Sequence, residues 1–129
     1  FKKGLDVSPK NPKAYNNLGI AYSSIDVDQA IIYFQKCIGV DPSFVEAYTN
    51  LGAMYAQKGD YEQAVLMFEK AVDLNPRYAV GYNNLGTMLM RSGQLVEAKK
   101  NFEMALKLDT KYKDAQNNLH EVRRLMGTR

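Results

Sequence analysis

The amino-acid sequence predicts an all-α solenoid: stacked helix pairs, three of them complete, with a partial helix before them and one capping helix after. Three observations predict it. First, residue types recur at a fixed period, which marks a repeat architecture. Tyr48 to Tyr82, Leu51 to Leu85, Gly52 to Gly86, Ala64 to Ala98 and Phe68 to Phe102 are each 34 residues apart. Second, the apolar residues within a period follow helical spacing. Tyr15, Leu18, Gly19 and Tyr22 fall within about 100° of one another on a 3.6-residue wheel. Third, Pro42 and Pro76 stand just past the ends of the second helices of the first two pairs, where proline prevents continuation.

Residues 1–9, FKKGLDVSP, align with FQKCIGVDP, FEKAVDLNP and FEMALKLDT. They are expected to be the tail of the second helix of a preceding pair. The opening FKKGLDVSPK has no initiator Met and no signal-peptide pattern, as expected of a fragment of something longer.

The first complete repeat, residues 12–44, opens with Asn11 as cap and Pro12 in the first turn. Asp26 with Gln29 forms a capping-box pattern for its second helix. Tyr15 to Tyr48 is 33 residues while Ala30 to Ala64 is 34, so one residue is missing between Tyr22 and Ala30. SSIDVDQ there stands against AQKGDYEQ in the next unit. The loss reads as a tolerated loop deletion, with a change of superhelical pitch or a partner-specific turn as the alternative.

The second repeat, 45–78, repeats the capping pattern at Asp60 and Gln63, and the third, 79–112, has Thr110 where the others have proline. Residues 113–129 read as a first helix with no second helix behind it. Leu119-His120 replaces Leu-Gly and Arg123 stands where Tyr22, Tyr55 and Leu89 stood; polar replacement of this kind suits a capping helix. Gly19, Gly52 and Gly86 each cost about 1 kcal/mol of helix propensity against alanine, so they are expected where the paired helix comes too close for a side chain. The small residues Ala30, Ala64 and Ala98 fit the same account, and the repeated Tyr, Phe and Leu residues are expected in the core.

The middle unit carries Tyr48, Leu51, Gly52, Tyr55, Gly59, Ala64, Phe68, Ala71 and Pro76 in order. This pattern resembles the tetratricopeptide repeat, and three units in register extend the resemblance over nearly the whole chain. The resemblance implies a right-handed superhelix whose first helices line a concave surface. It also implies a protein-protein interaction scaffold rather than an enzyme.

Composition narrows the function classes. The net charge of +3 is spread thinly: residues 1–94 carry 9 basic and 9 acidic side chains, and residues 95–129 carry 8 and 5. Such a surplus is solvated surface, and no nucleic-acid partner is expected. No apolar run approaches the roughly 18 residues of a membrane span. The single Cys37 excludes an internal disulfide and a cysteine-based zinc cluster, and it favours a reducing compartment, hence the cytoplasm. It occupies the small-residue site also filled by Ala71 and Ala105, and reads as a buried thiol. His120 is the one histidine and has no evident nucleophile beside it. No catalytic residue, metal site or cofactor is expected.

One feature is not core. Asn17, Asn50, Asn84 and Asn118 each directly precede the repeat leucine, although asparagine is a mediocre helix former. On the wheel they lie about 100° or more from the Tyr-Leu-Gly stripe. The face they share comprises Lys13, Asn17, Ile20 and Ser24; Glu46, Asn50, Ala53 and Gln57; Val80, Asn84, Thr87 and Arg91; and Asp114, Asn118 and Glu121. A primary amide offers a donor and an acceptor, as a peptide bond does. A ladder of them can therefore hold an extended segment of a partner protein whatever its side chains. The competing reading is that each asparagine bonds its own helix, a neighbouring first helix or water.

Asn16, Asn83 and Asn117, with Thr49 in the same series, are expected toward the groove edge, and Met90 can reach its rim. Arrays of this asparagine type are similar to those of O-linked N-acetylglucosamine transferases. That resemblance implies the alternative of a substrate-recruiting region of a larger glycosyltransferase. Open repeat ends raise a third possibility, self-assembly into homo-oligomers. The basic residues of a carboxylate clamp for chaperone tails are missing: the matching sites hold Asn16, Ile20, Thr49, Val80 and Asn83.

Overall fold

In the computed structural model, which describes residues 11–127, seven helices follow one another: α1 Pro12–Tyr22, α2 Val27–Val40, α3 Val45–Gln57, α4 Tyr61–Leu74, α5 Ala79–Arg91, α6 Leu95–Leu108 and α7 Lys113–Met126. Consecutive helices pack throughout, and α1 also touches α3, as α5 touches α7. The result is a solenoid of three helix pairs with α7 packed against the third. The expected tail at residues 1–9 lies outside the described residues.

Local chemistry sets the boundaries. Asn11 Oδ1 accepts from the Ala14 backbone N–H at 3.1 Å, Asp26 Oδ1 from Gln29 at 3.3 Å and Asp60 Oδ1 from Gln63 at 3.2 Å. Each bond satisfies one of the orphan donors of a helix start. Helix α3 ends in a Schellman motif on Gly59 at φ +84°, with Asp60 N–H donating to Tyr55 O and Gly59 N–H to Ala56 O. Helix α5 ends in the same way on Gly93, with Gln94 N–H on Leu89 O and Gly93 N–H on Met90 O.

The first unit reaches the same result with one residue fewer. Helix α1 stops at Tyr22, the left-handed glycine is absent, and Asp26 N–H donates to Tyr22 O at 2.8 Å. Tyr22, Tyr55 and Leu89 are equivalent positions, so the shortened turn keeps the tie between the end of the first helix and the cap of the second.

The core repeats one contact. Phe34, Phe68 and Phe102 are buried on the second helices. Each presses on a glycine of its own pair: a Cβ added at Gly52 would stand 2.6 Å from Phe68 Cε1, and one at Gly86 2.6 Å from Phe102 Cε1. Gly19 meets Phe34 in the same manner. Helix propensity is given up at these glycines so that ring and backbone can touch. Ala30, Ala64 and Ala98 are fully buried, as is Cys37. Burial pushes the Cys37 thiol up to about 11, with Asp41 and Glu46 adding to the effect. Met90 is partly buried against the core cluster that contains Leu89, Phe102 and Val122, instead of reaching the groove rim.

Adjacent units are tied by a side chain on each first helix. The Tyr48 hydroxyl donates to Pro42 O at 2.8 Å and the Tyr82 hydroxyl to Pro76 O at 3.0 Å. At the next equivalent position the chain has Gln116, and its Nε2 donates to Thr110 O at 2.9 Å. The loss of the aromatic ring and of the proline are two halves of one altered tie. On α7 the glycine position is His120, which is exposed, and no phenylalanine presses on it among the described residues.

Candidate functional site

The first helices α1, α3, α5 and α7 carry the asparagine series, and the four asparagines differ in state. Asn17 is exposed, while Asn50, Asn84 and Asn118 are half-buried. Asn50 Nδ2 donates to Asn16 Oδ1 at 3.1 Å, and Asn118 Nδ2 donates to Asn83 Oδ1 at 3.0 Å. Both bonds run from one first helix to the preceding one, so two of the four amides hold the helices together. Asn17 and Asn84 make no side-chain hydrogen bond among the described residues.

Asn16 and Asn83 do not sit at the groove edge. They are 3% and 6% exposed, the two buried polar side chains among the described residues. A buried amide needs a partner, and the following unit supplies it. Their equivalents behave differently. Thr49 is half-buried and turns its hydroxyl back to Val45 O at 3.3 Å, while Asn117 is exposed on α7.

Two open depressions lie along this face. One, of about 240 Å³, is lined by Ile20, Glu46, Thr49, Asn50 and Tyr78. The other, of about 230 Å³, is lined by Ala53, Ala56, Phe68, Asn84, Thr87 and Met88. They bring together six of the residues expected in the groove: Ile20, Glu46, Asn50, Ala53, Asn84 and Thr87. Lys13, Val80, Arg91 and Asp114 are exposed outside the two depressions, as is Gln57, the last residue of α3. Ser24 departs from expectation. It lies in the turn beyond the end of α1, because the one-residue deletion shortens that helix. The Glu121 carboxylate is engaged by Arg124, whose Nε and Nη2 reach it at 3.1 and 2.5 Å. That pairing holds Glu121 below the usual carboxylate range. Thr87 donates its hydroxyl to Asn83 O of its own helix at 2.9 Å.

Sequence reasoning missed Tyr78, which walls the first depression from the cap of α5. Its signal was present: Phe44, Tyr78 and Tyr112 recur at 34-residue spacing before each first helix. Tyr112 lies against Asn83, and burial raises its hydroxyl above the usual range. Among the described residues no three His, Cys, Asp or Glu side chains converge as a metal site requires. No described helix is long and apolar enough to cross a membrane.

Tetratricopeptide repeat family models match residues 12–44, 45–78 and 67–100, which together span residues 12–100. The chain belongs to the tetratricopeptide repeat family. Among solved structures this tetratricopeptide array is similar to MamA, with TM-score 0.90 and 25% identity over 98% of this chain and 74% of that one. It is also similar to the first tetratricopeptide domain of Spaghetti (RPAP3), bound to the HSP90 peptide SRMEEVD, with TM-score 0.87 and 25% identity over 91% of this chain and 94% of that one. The Sgt2 domain of Aspergillus fumigatus shares the fold at 18% identity, with TM-score 0.85 over 90% and 79% of the two chains. No curated protein matches the chain.

Proposed function

We propose that the array is a non-enzymatic scaffold that holds an extended segment of a partner protein along its first helices. The observation that carries this reading is the pair of depressions on one face, each with an asparagine of the same series at its wall: Asn50 in one and Asn84 in the other. A segment lying across α1, α3 and α5 meets side-chain pockets and main-chain-like amides in alternation, as recognition of an extended chain requires. The similarity to a Spaghetti (RPAP3) domain that holds a peptide supports a peptide as the ligand class.

That HSP90 peptide is acidic, whereas the face described here sets Lys13 and Arg91 against Glu46 and Asp114, with Glu121 already held by Arg124. That balance suits a segment without a net acidic charge. A reducing, cytoplasmic setting suits the lone buried thiol. The test is a 15N-labelled titration with a positional-scanning library of acetylated, amidated nonapeptides. Shifts confined to α1, α3 and α5 residues of the two depressions support the proposal. Shifts confined to the second helices, or binding that accompanies a rise in scattering mass by self-association, overturn it.

A further inference from the structure

The asparagine series is chemically uneven, and this inference rests on the groove reading above. Asn50 and Asn118 each commit an amide N–H to the buried Asn16 or Asn83 of the preceding unit. The residue placed to serve Asn84 in the same way is number 49, and it is threonine. The Thr49 side chain is shorter, and its hydroxyl is turned to its own helix at Val45 O. Asn84 is therefore half-buried at the wall of a depression with its donor and acceptor both unpaired among the described residues. Its amide atoms are open to solvent rather than sealed in the array, so donor and acceptor are both available to a ligand.

The neighbouring depression adds a charge. Glu46 stands in the first turn of α3, where the helix dipole favours it, and its carboxylate makes no ion pair among the described residues. Ile20, half exposed, and the Tyr78 ring line the same space. An aliphatic stem with a cationic head matches this lining. The stem covers Ile20, the head reaches Glu46, and the ring face of Tyr78 adds cation–π attraction.

We propose that Asn84 fixes the register of the bound segment by pairing with the N–H and C=O of one of its residues, and that the Ile20–Glu46–Tyr78 depression takes a lysine or arginine of that segment. Thr49 is the residue that makes Asn84 available, while Asn50 and Asn118 serve the scaffold.

The experiment uses the nonapeptide library on the full chain, then titration calorimetry with the best peptide. The library is expected to select Lys or Arg at one position, and Glu46→Gln to abolish that selection. Asn84→Ala and Thr49→Asn should each weaken binding about tenfold, because the second gives Asn84 an internal partner. Combined, they should weaken it no further than either alone. Thr49→Asn should melt at or above the parent temperature. Asn50→Ala should melt lower than the parent, because it leaves the buried Asn16 oxygen without its partner.

Ala53→Arg, which fills the groove, separates the two readings. If it abolishes binding while Asn84→Ala and Thr49→Asn bind as the parent does, the groove stands and the Asn84 assignment falls. Selection of acidic or purely apolar residues overturns the assignment of the Glu46 depression. If Ala53→Arg leaves binding intact, or no library peptide binds, the groove reading itself falls and the present inference with it.

Discussion

Asn50 on α3 donates its side-chain amide to Asn16 on α1 at 3.1 Å, and Asn16 is 3% exposed. A residue expected to serve a ligand thus satisfies a buried polar atom of its own array. Removing it leaves the Asn16 oxygen without a partner, which costs about 1–3 kcal/mol. Asn50→Ala and Asn118→Ala are each expected to lower the melting temperature by several degrees. Calorimetric melting of each variant against Asn17→Ala, whose exposed side chain has no described partner, checks this. Equal melting for all three would remove the structural role.

The glycines separate by what stands over them. Gly52→Ala gains about 1 kcal/mol of helix propensity but drives a Cβ to 2.6 Å from Phe68 Cε1. Overpacking of that kind costs about 1–3 kcal/mol, so the net expectation is a loss of stability. Gly39 in α2 has nothing within 4 Å of an added Cβ and negative φ. Gly39→Ala is expected to stabilise by about 0.5–1 kcal/mol. Urea denaturation of the two variants should move the midpoint in opposite directions.

The Tyr48 hydroxyl is the tie from α3 to Pro42 O at 2.8 Å. Tyr48→Phe keeps the ring and removes the bond, with an expected loss of about 0.5–1.5 kcal/mol. The same change at Tyr82, whose bond to Pro76 O is 3.0 Å and more exposed, should cost less. Parallel denaturant titrations rank the two.

Burial holds the Cys37 proton, with the thiol pushed up to about 11 against an ordinary 9.0. The folded state therefore binds this proton more tightly than the unfolded state does. The stability it contributes is fully present below pH 9 and is lost as pH rises toward 11, by roughly 2–3 kcal/mol. Cys37→Ala, which copies Ala71 and Ala105, should melt with a shallower alkaline decline than the parent between those values. In the folded parent at pH 8, a disulfide-exchange reagent should label Cys37 only as fast as the chain opens. Labelling that is fast and insensitive to denaturant would contradict both expectations.

The elements and their packing were legible because they depend on one helix and its period. The 34-residue spacing, the close helix approach at Gly19, Gly52 and Gly86 and the caps at Asn11, Asp26 and Asp60 all follow from residue type and interval. The candidate site was less legible, because it depends on what stands beside each helix. A helical wheel gives the angle of Asn16 but not that α3 lies over it, so an edge position was expected where the residue is buried. The wheel also extends past the true end of α1, which is why Ser24 was placed on a helix it does not join. Thr49 was expected at the groove edge with Asn16, Asn83 and Asn117. Its effect on Asn84 is visible only when the offset between neighbouring units is known.

His120 has an implication for anyone lengthening the array by design. Every complete unit offers a bare glycine to the ring behind it, and α7 offers an imidazole. A copied second helix joined after Met126 would bring its phenylalanine against that imidazole. A complete copied pair spliced in ahead of Lys113 would carry its own glycine for its own ring.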